Sequence, residues 1–168
     1  MIVVAIVSIM AAVGFPSFSQ WIKQSKTVEA TGFLAEVKAR QESYRFDFGR
    51  YCDASGNQDN FFPSATPTDN LQNWDLTAMG TATGKNFEAL GAMPSGASSR
   101  FVYSTVADAP FGNLPSARNF SNDRGYSSGD FWFITTARGD LDGDGVFMTM
   151  ESYSHTKGIW VSTGNGVE

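Results

Sequence analysis

The chain has 168 residues, 17% of them charged, and a formal net charge of −5. That length fits one ordinary domain. Residues 1–50 carry six basic and four acidic side chains, and residues 51–168 carry six and thirteen. An acidic C-terminal part argues against sequence-independent nucleic-acid binding through that surface, which needs clustered lysine and arginine. A single cysteine, Cys52, excludes an intrachain disulfide and a zinc site built from thiolates.

The first 22 residues carry no charge, and within residues 1–13 the only polar side chain is Ser8. As a helix rising about 1.5 Å per residue they would form a rod of roughly 33 Å, close to the thickness of a bilayer's hydrocarbon core. Proline removes one backbone hydrogen bond and clashes with the preceding turn, so we expect the helix to be broken by a kink or a melted turn near Gly14 and Pro16. The strongly apolar part is about 13 to 15 residues, short of the roughly 20 that a spanning helix needs.

This opening resembles the start of the type IV pilins and related pseudopilins, entered partway through their signature. The resemblance rests on the run from Met1 to Ile6, on Ala11-Ala12 and on Gly14-Phe15-Pro16. In that family a short basic leader is cut off before a phenylalanine, and a Phe-Thr-Leu-Ile-Glu-like segment leads into the apolar run. The sequence contains neither that leader nor that glutamate. We therefore interpret the chain as a fragment, or as a chain whose start was placed at an internal methionine.

The resemblance implies an α+β fold in which a long N-terminal helix packs on a small antiparallel sheet. Residues 1–22 would be a hydrophobic stem, and residues 23–168 a head with a connecting loop at 53–99 and a sheet at 100–163. The protein would be structural and not an enzyme. It would leave the bacterial inner membrane with the pilus assembly machinery and polymerise through its stem into a helical extracellular homopolymer. Such filaments serve adhesion, motility or DNA uptake.

Other interpretations stay open at this point. The chain could be the major pseudopilin of a type II secretion system, or a membrane-tethered calcium-dependent binding module. The apolar segment could also be a secretory signal, although no lysine or arginine precedes Lys23, or a buried helix of a soluble protein. In the pilin interpretation, Lys23 and Lys26 would meet lipid head groups or neighbouring stems.

Beyond Pro16, apolar residues recur at steps of three, four and seven, which is typical of one face of a helix reaching about residue 51. They are Ala30, Phe33, Leu34, Val37, Tyr44, Phe48 and Tyr51. Cys52, at the end of this helix, is predicted to be buried, with an intermolecular disulfide as the alternative. Residues 53–99 are rich in turn formers and predict a long connection with a short helical turn near residues 86–90. Four aromatic residues predict that this connection is packed down: Phe61, Phe62, Trp74 and Phe87.

Four later segments are rich in β-branched and aromatic residues, which predicts strands at 100–107, 130–137, 146–153 and 158–163. The links after the second and third segments are short, and short links favour antiparallel neighbours. We expect a meander of about four strands, laid against the apolar face of the helix.

A calcium-loop pattern lies between the second and third strands. Asp140, Asp142 and Asp144 stand at positions 1, 3 and 5, glycine follows at position 6, and Glu151 stands at position 12. Three carboxylates this close repel one another unless a cation lies among them. If a strand starts at Val146, however, Glu151 is about 20 Å from the turn. We therefore predict Ca²⁺ bound by the three aspartates and the carbonyl of Val146, without Glu151. A bare Asp-Gly turn is the alternative.

Overall fold

The computed structural model describes residues 2–75, 82–112 and 129–162. The chain begins with one long helix, α1 (Ile2–Phe48). The connection that follows contains β1 (Gln72–Asn73), α2 (Ala82–Leu90), a 3₁₀ turn (Ser95–Ala97) and β2 (Ser98–Ser99). The main sheet consists of β3 (Phe101–Asp108), β4 (Trp132–Gly139), β5 (Met148–Tyr153) and β6 (Ile159–Val161). A long helix on a small antiparallel sheet is the predicted α+β arrangement.

The helix α1 is continuous through Gly14 and Pro16, so a melted turn there is wrong for the single chain, while a kink stays a prediction. Proline removes only one hydrogen bond from the helical ladder, and the regular turns on both sides keep the helical path. A loss of helix there in an assembled filament stays a prediction. Within the described ranges, no helix combines the length and the apolar character needed to cross a membrane.

The main sheet is an antiparallel meander in which the spatial order of the strands, β3-β4-β5-β6, follows their order in the chain. The register places Tyr103 opposite Ala137, and Ala137 opposite Met150. The predicted strands are confirmed, with boundaries shifted by one or two residues. Because side chains alternate across a strand, these three residues lie on one face of the sheet, and they share a buried cluster with Leu34 and Val37 of α1.

The long connection is packed down, as its aromatic residues predicted. Trp74 is 3% exposed, and four rings pack edge-on against it. These rings are Phe33 at 5.3 Å between centroids, Phe62 at 4.5 Å, Phe87 at 5.4 Å and Tyr103 at 5.8 Å. The connection is more regular than expected, since α2 extends over nine residues and β1 pairs with β2.

The apolar face of α1 is buried from Ala30 to Val37, which confirms the periodicity in that part. The prediction fails at Phe48, whose side chain is 64% exposed at the end of the helix. Tyr51 is buried but lies beyond the helix, where its ring packs on Phe133 at 4.8 Å between centroids. Cys52 is buried, as expected for a small apolar residue.

Candidate functional site

The turn between β4 and β5 brings the three predicted aspartates together. One carboxylate oxygen from each of Asp140, Asp142 and Asp144 lies within 4.8 Å of the others. Asp140 is buried, while Asp142 and Asp144 are exposed. The cluster is therefore buried on the side of Asp140 and open to solvent on the side of Asp142 and Asp144.

Backbone amides fold this turn around its own carboxylates. Asp140 accepts hydrogen bonds from the amides of Gly143 at 2.7 Å and Gly145 at 3.2 Å. Asp144 accepts one from the amide of Val146 at 2.7 Å. The two glycines have φ of 78° and 81°, a left-handed conformation that other residues adopt at a cost. The alternation of aspartate and glycine thus fits this turn locally.

Two lysines of α1 reach the same turn. Lys23 Nζ lies 2.7 Å from Asp142 Oδ2, and Lys26 Nζ donates to the carbonyl oxygen of Leu141 at 2.7 Å. The hydrogen bond from the Lys23 ammonium holds the pKa of the Asp142 carboxyl below its ordinary value. The cation that faces the acidic turn is therefore Lys23 of α1.

Sequence reasoning missed these partners. It assigned Lys23 and Lys26 to lipid or to neighbouring stems, although both positions continue the helical spacing that leads to Ala30 and Phe33. It also missed Asp69, whose carboxylate oxygen lies 3.7 Å from the position that a Cβ on Gly143 would occupy. Asp69 comes from the connecting loop, and no local motif marks it.

Glu151 lies away from the cluster. It stands on β5 opposite Thr136 and Trp160, is 1% exposed and accepts a hydrogen bond from the Tyr153 hydroxyl. Its carboxylate is not among those that lie within 4.8 Å of one another in the turn. A helix after the loop would be needed to bring position 12 of this motif to an ion, and a strand follows instead.

The second functional feature is the apolar surface of the stem. Ten large apolar side chains between residues 2 and 22 are from 38% to 78% exposed: Ile2, Val3, Val4, Ile6, Val7, Ile9, Met10, Phe18, Trp21 and Ile22. Within the described side chains of α1, the first buried position is Ala30. An exposed apolar surface of this extent marks an interaction site.

A family model matches residues 16–101, just over half of the chain. The model is described as type IV minor pilin ComP, DNA uptake sequence receptor. The chain belongs to this type IV minor pilin family. A search of curated proteins and a search of solved structures each found no match. The family match covers most of α1 and the whole connection, and it ends where β3 begins.

In this pilin, the chemistry of the acidic turn fits a hard cation. Ca²⁺ binds oxygen ligands, carboxylates among them, and takes six to eight oxygens in total from carboxylates, carbonyls and waters. The three aspartates each keep acceptor capacity beyond the hydrogen bonds described above, and Asp69 borders the turn. Lys23 must leave Asp142 before that oxygen can bind an ion. No geometric observation bears on the carbonyl of Val146, so its role as a ligand stays a prediction.

Proposed function

We propose that this chain is a structural subunit of a type IV pilus, held in the bacterial inner membrane before assembly and extracellular afterwards. The observation that carries the proposal is the exposed apolar surface on residues 2–22 of α1. The family match supports a role as a pilus component. Joining the filament through this surface, beside copies of itself or other pilins, is the finer part of the proposal.

The apolar surface favours assembly because the head gives it no partner. The core cluster takes its helix residues from Ala30 onward, and the large apolar side chains described between residues 2 and 22 stay exposed in the single chain. Burial of apolar area yields about 25 cal/mol per Å², and each stem in a bundle contacts several others. Lipid before assembly and neighbouring stems after it would both cover this surface.

A pair of matched substitutions on α1 tests the proposal. Ile9→Asp places a charge on the stem at a side chain that is 66% exposed, and Phe46→Asp places the same charge at a side chain that is 91% exposed near the helix end. Both variants are produced in cells that make pili, and sheared filaments are probed for the chain. We expect Ile9→Asp to be missing from the filaments and Phe46→Asp to be incorporated. Equal incorporation of both variants would contradict assembly through the stem.

Experiments in the same cells distinguish a type IV pilus subunit from a pseudopilin of a type II secretion system. A secretion pseudopilin would stay in the envelope, and deletion of its gene would block export of a type II substrate without loss of surface pili. That result would replace the pilus assignment by the pseudopilin alternative.

DNA binding is the second candidate function, and the observation that favours it is the family description as a DNA uptake sequence receptor. The charge of the chain opposes a broad electrostatic interface, because residues 51–168 carry thirteen acidic and six basic side chains. Binding would therefore have to depend on few phosphate contacts and on the sequence of the duplex.

Fluorescence anisotropy with labelled duplexes tests this candidate. If the chain reads sequence, one duplex from a random library should bind tighter than its scrambled version at 200 mM salt. Few phosphate contacts predict a shallow dependence of affinity on salt, since the slope is about 0.9 per neutralised phosphate. Equal or undetectable binding of selected and scrambled duplexes would leave only the filament role.

We also propose that the acidic turn binds Ca²⁺ through Asp140, Asp142 and Asp144. The proximity of the three carboxylates supports this, as does the position of the Lys23 ammonium, a cation already in contact with Asp142. When bound, the ion would cancel the repulsion among the carboxylates and stabilise the β4–β5 turn. With no intrachain disulfide possible, such an ion would be one way to hold this end of the head.

A further inference from the structure

Three lysines of α1 form hydrogen bonds with two successive turns of the sheet. Lys38 donates to the carbonyl oxygens of Tyr153, at 2.9 Å, and Thr156, in the β5–β6 turn. Lys23 and Lys26 hold the β4–β5 turn instead. The helix therefore contacts the sheet at two levels. Along the helix axis these levels lie about 20 Å apart, because each residue adds about 1.5 Å.

Of these contacts, the one between Lys23 and Asp142 has a charged acceptor, whereas Lys26 and Lys38 contact neutral carbonyl oxygens. Lys38 contacts neutral carbonyls from a partly buried position. At the lower level Lys23 contacts the carboxylate of Asp142, and these two side chains are 14% and 29% exposed. A contact between full charges that solvent can reach weakens as dissolved ions screen it, whereas a contact to carbonyls depends less on salt.

The surroundings of Asp142 draw further cations to the same place. Asp140 and Asp144 each bring a carboxylate oxygen within 4.8 Å, and Asp69 borders the turn from the connecting loop. Lys23 and Lys26 are the cationic groups from α1 that contact this turn. Three or four carboxylates beside two ammonium groups still leave local negative charge, so mobile cations concentrate there and compete with Lys23.

From this arrangement we infer that Lys23 and Asp142 form a cation-sensitive clasp between α1 and the tip of the β4–β5 turn. At low salt the clasp is closed, and the turn lies against α1. When dissolved cations take Asp142, Lys23 is released, while Lys26 stays on the Leu141 carbonyl oxygen and Lys38 stays on the β5–β6 turn. The released Lys23 then lies beside the apolar stem surface, at the level where lipid or a neighbouring subunit begins.

Zero-length crosslinking of the full chain in detergent micelles tests the clasp. A carbodiimide joins an amine to a carboxylate only when the two are in contact, so it should link Lys23 to Asp142, with the joined peptides identified by mass spectrometry. Raising NaCl from 0.1 to 1 M shortens the screening length from about 10 Å to about 3 Å. We expect the yield of this crosslink to fall several-fold over that range.

Matched controls separate the clasp from changes in reagent activity. Coupling of a small amine to the exposed Asp47 normalises the activation of carboxylates. Asp142→Asn should abolish the crosslink, and Asp144→Asn, its neighbour in the turn, should retain it. Absence of the crosslink at 0.1 M NaCl, or a normalised yield that does not change up to 1 M, would overturn the clasp.

The same crosslinking measurement with calcium tests the proposed Ca²⁺ site separately. The clasp does not depend on that site. At constant ionic strength, millimolar CaCl₂ should lower the yield further if the turn binds the ion. If NaCl lowers the yield and CaCl₂ adds nothing, the clasp stands and the calcium proposal fails.

Discussion

The side-chain amide of Gln41 forms two hydrogen bonds with the backbone of Cys52. Nε2 donates to the Cys52 carbonyl oxygen at 2.7 Å, and the Cys52 amide donates to Oε1 at 2.8 Å. Gln41 is fully buried in the helix face that packs on the head. The chain leaving α1 is therefore held against the helix by a polar contact inside an apolar core.

Replacement of Gln41 by alanine should destabilise the protein, because it leaves a buried amide and a buried carbonyl without their partner. Each such orphaned group costs about 1–3 kcal/mol. We expect a loss of about 2–4 kcal/mol in the free energy of unfolding, measured by denaturant titration in detergent micelles. Gln24→Ala, at an exposed position of the same helix, is the control and should change stability little. Similar losses in both variants would contradict the role given to Gln41.

The two tryptophans Trp74 and Trp21 should separate folding from assembly. Trp74 is 3% exposed at the centre of the aromatic cluster, and Trp21 is 64% exposed on the stem. Trp74→Ala should cost about 3–5 kcal/mol, as is usual for a large core aromatic. Trp21→Ala should leave the melting of the head unchanged and lower incorporation into filaments. Loss of head stability in Trp21→Ala would show that the stem packs on the head.

Calcium should raise the melting temperature of the protein through the β4–β5 turn. Binding to the folded state alone stabilises it by about 2.7 kcal/mol when free calcium is a hundred times Kd. The increment between chelator and calcium should persist in Glu151→Gln, because Glu151 lies on β5 outside the cluster. It should vanish in Asp142→Ala. An increment that disappears in Glu151→Gln but not in Asp142→Ala would place the ion elsewhere.

The thiol of Cys52 should react slowly with alkylating reagents while the protein is folded. Burial, followed by the charge of Asp53, raises the pKa of this thiol to about 11, so little thiolate is present at pH 8. The raised pKa favours the neutral thiol, so its contribution to stability is complete below pH 8 and is lost as pH rises towards 11. Iodoacetamide labelling followed by mass spectrometry should show fast reaction only after unfolding. Fast labelling of the folded chain would mean that Cys52 is accessible.

The main elements were predictable because their signals are local. A few neighbouring residues are enough to predict burial, both in the apolar spacing from Ala30 to Val37 and in the strands rich in aromatic residues. The acidic turn was equally local, since aspartates alternate with other residues over only five positions. For the same reason its partners were not found. Asp69 lies in a different loop, and Lys23 lies 119 residues from Asp142.

The polar residues of α1 show a second limit of sequence reasoning. Glu29 and Lys38 lie outside the apolar positions that the helical spacing marks. Glu29 nevertheless accepts hydrogen bonds from Ser99 Oγ at 2.6 Å and the Arg100 amide at 2.9 Å, and Lys38 donates to the Tyr153 carbonyl oxygen. Long side chains at the edge of an apolar stripe can bend towards the head or away from it. Periodicity alone does not decide between these two directions, because the deciding partner comes from another segment.

The order of the strands has a consequence for the route by which the chain folds. The last two hairpins join residues that are close in sequence, whereas α1 packs on strands about a hundred residues further along. Contacts between distant residues require the closure of long loops, which slows their formation. The hairpins can therefore form before the helix docks. As the chain is synthesised, the apolar face of α1 emerges before its buried partners, and the partners on β5 are the last of them to be made.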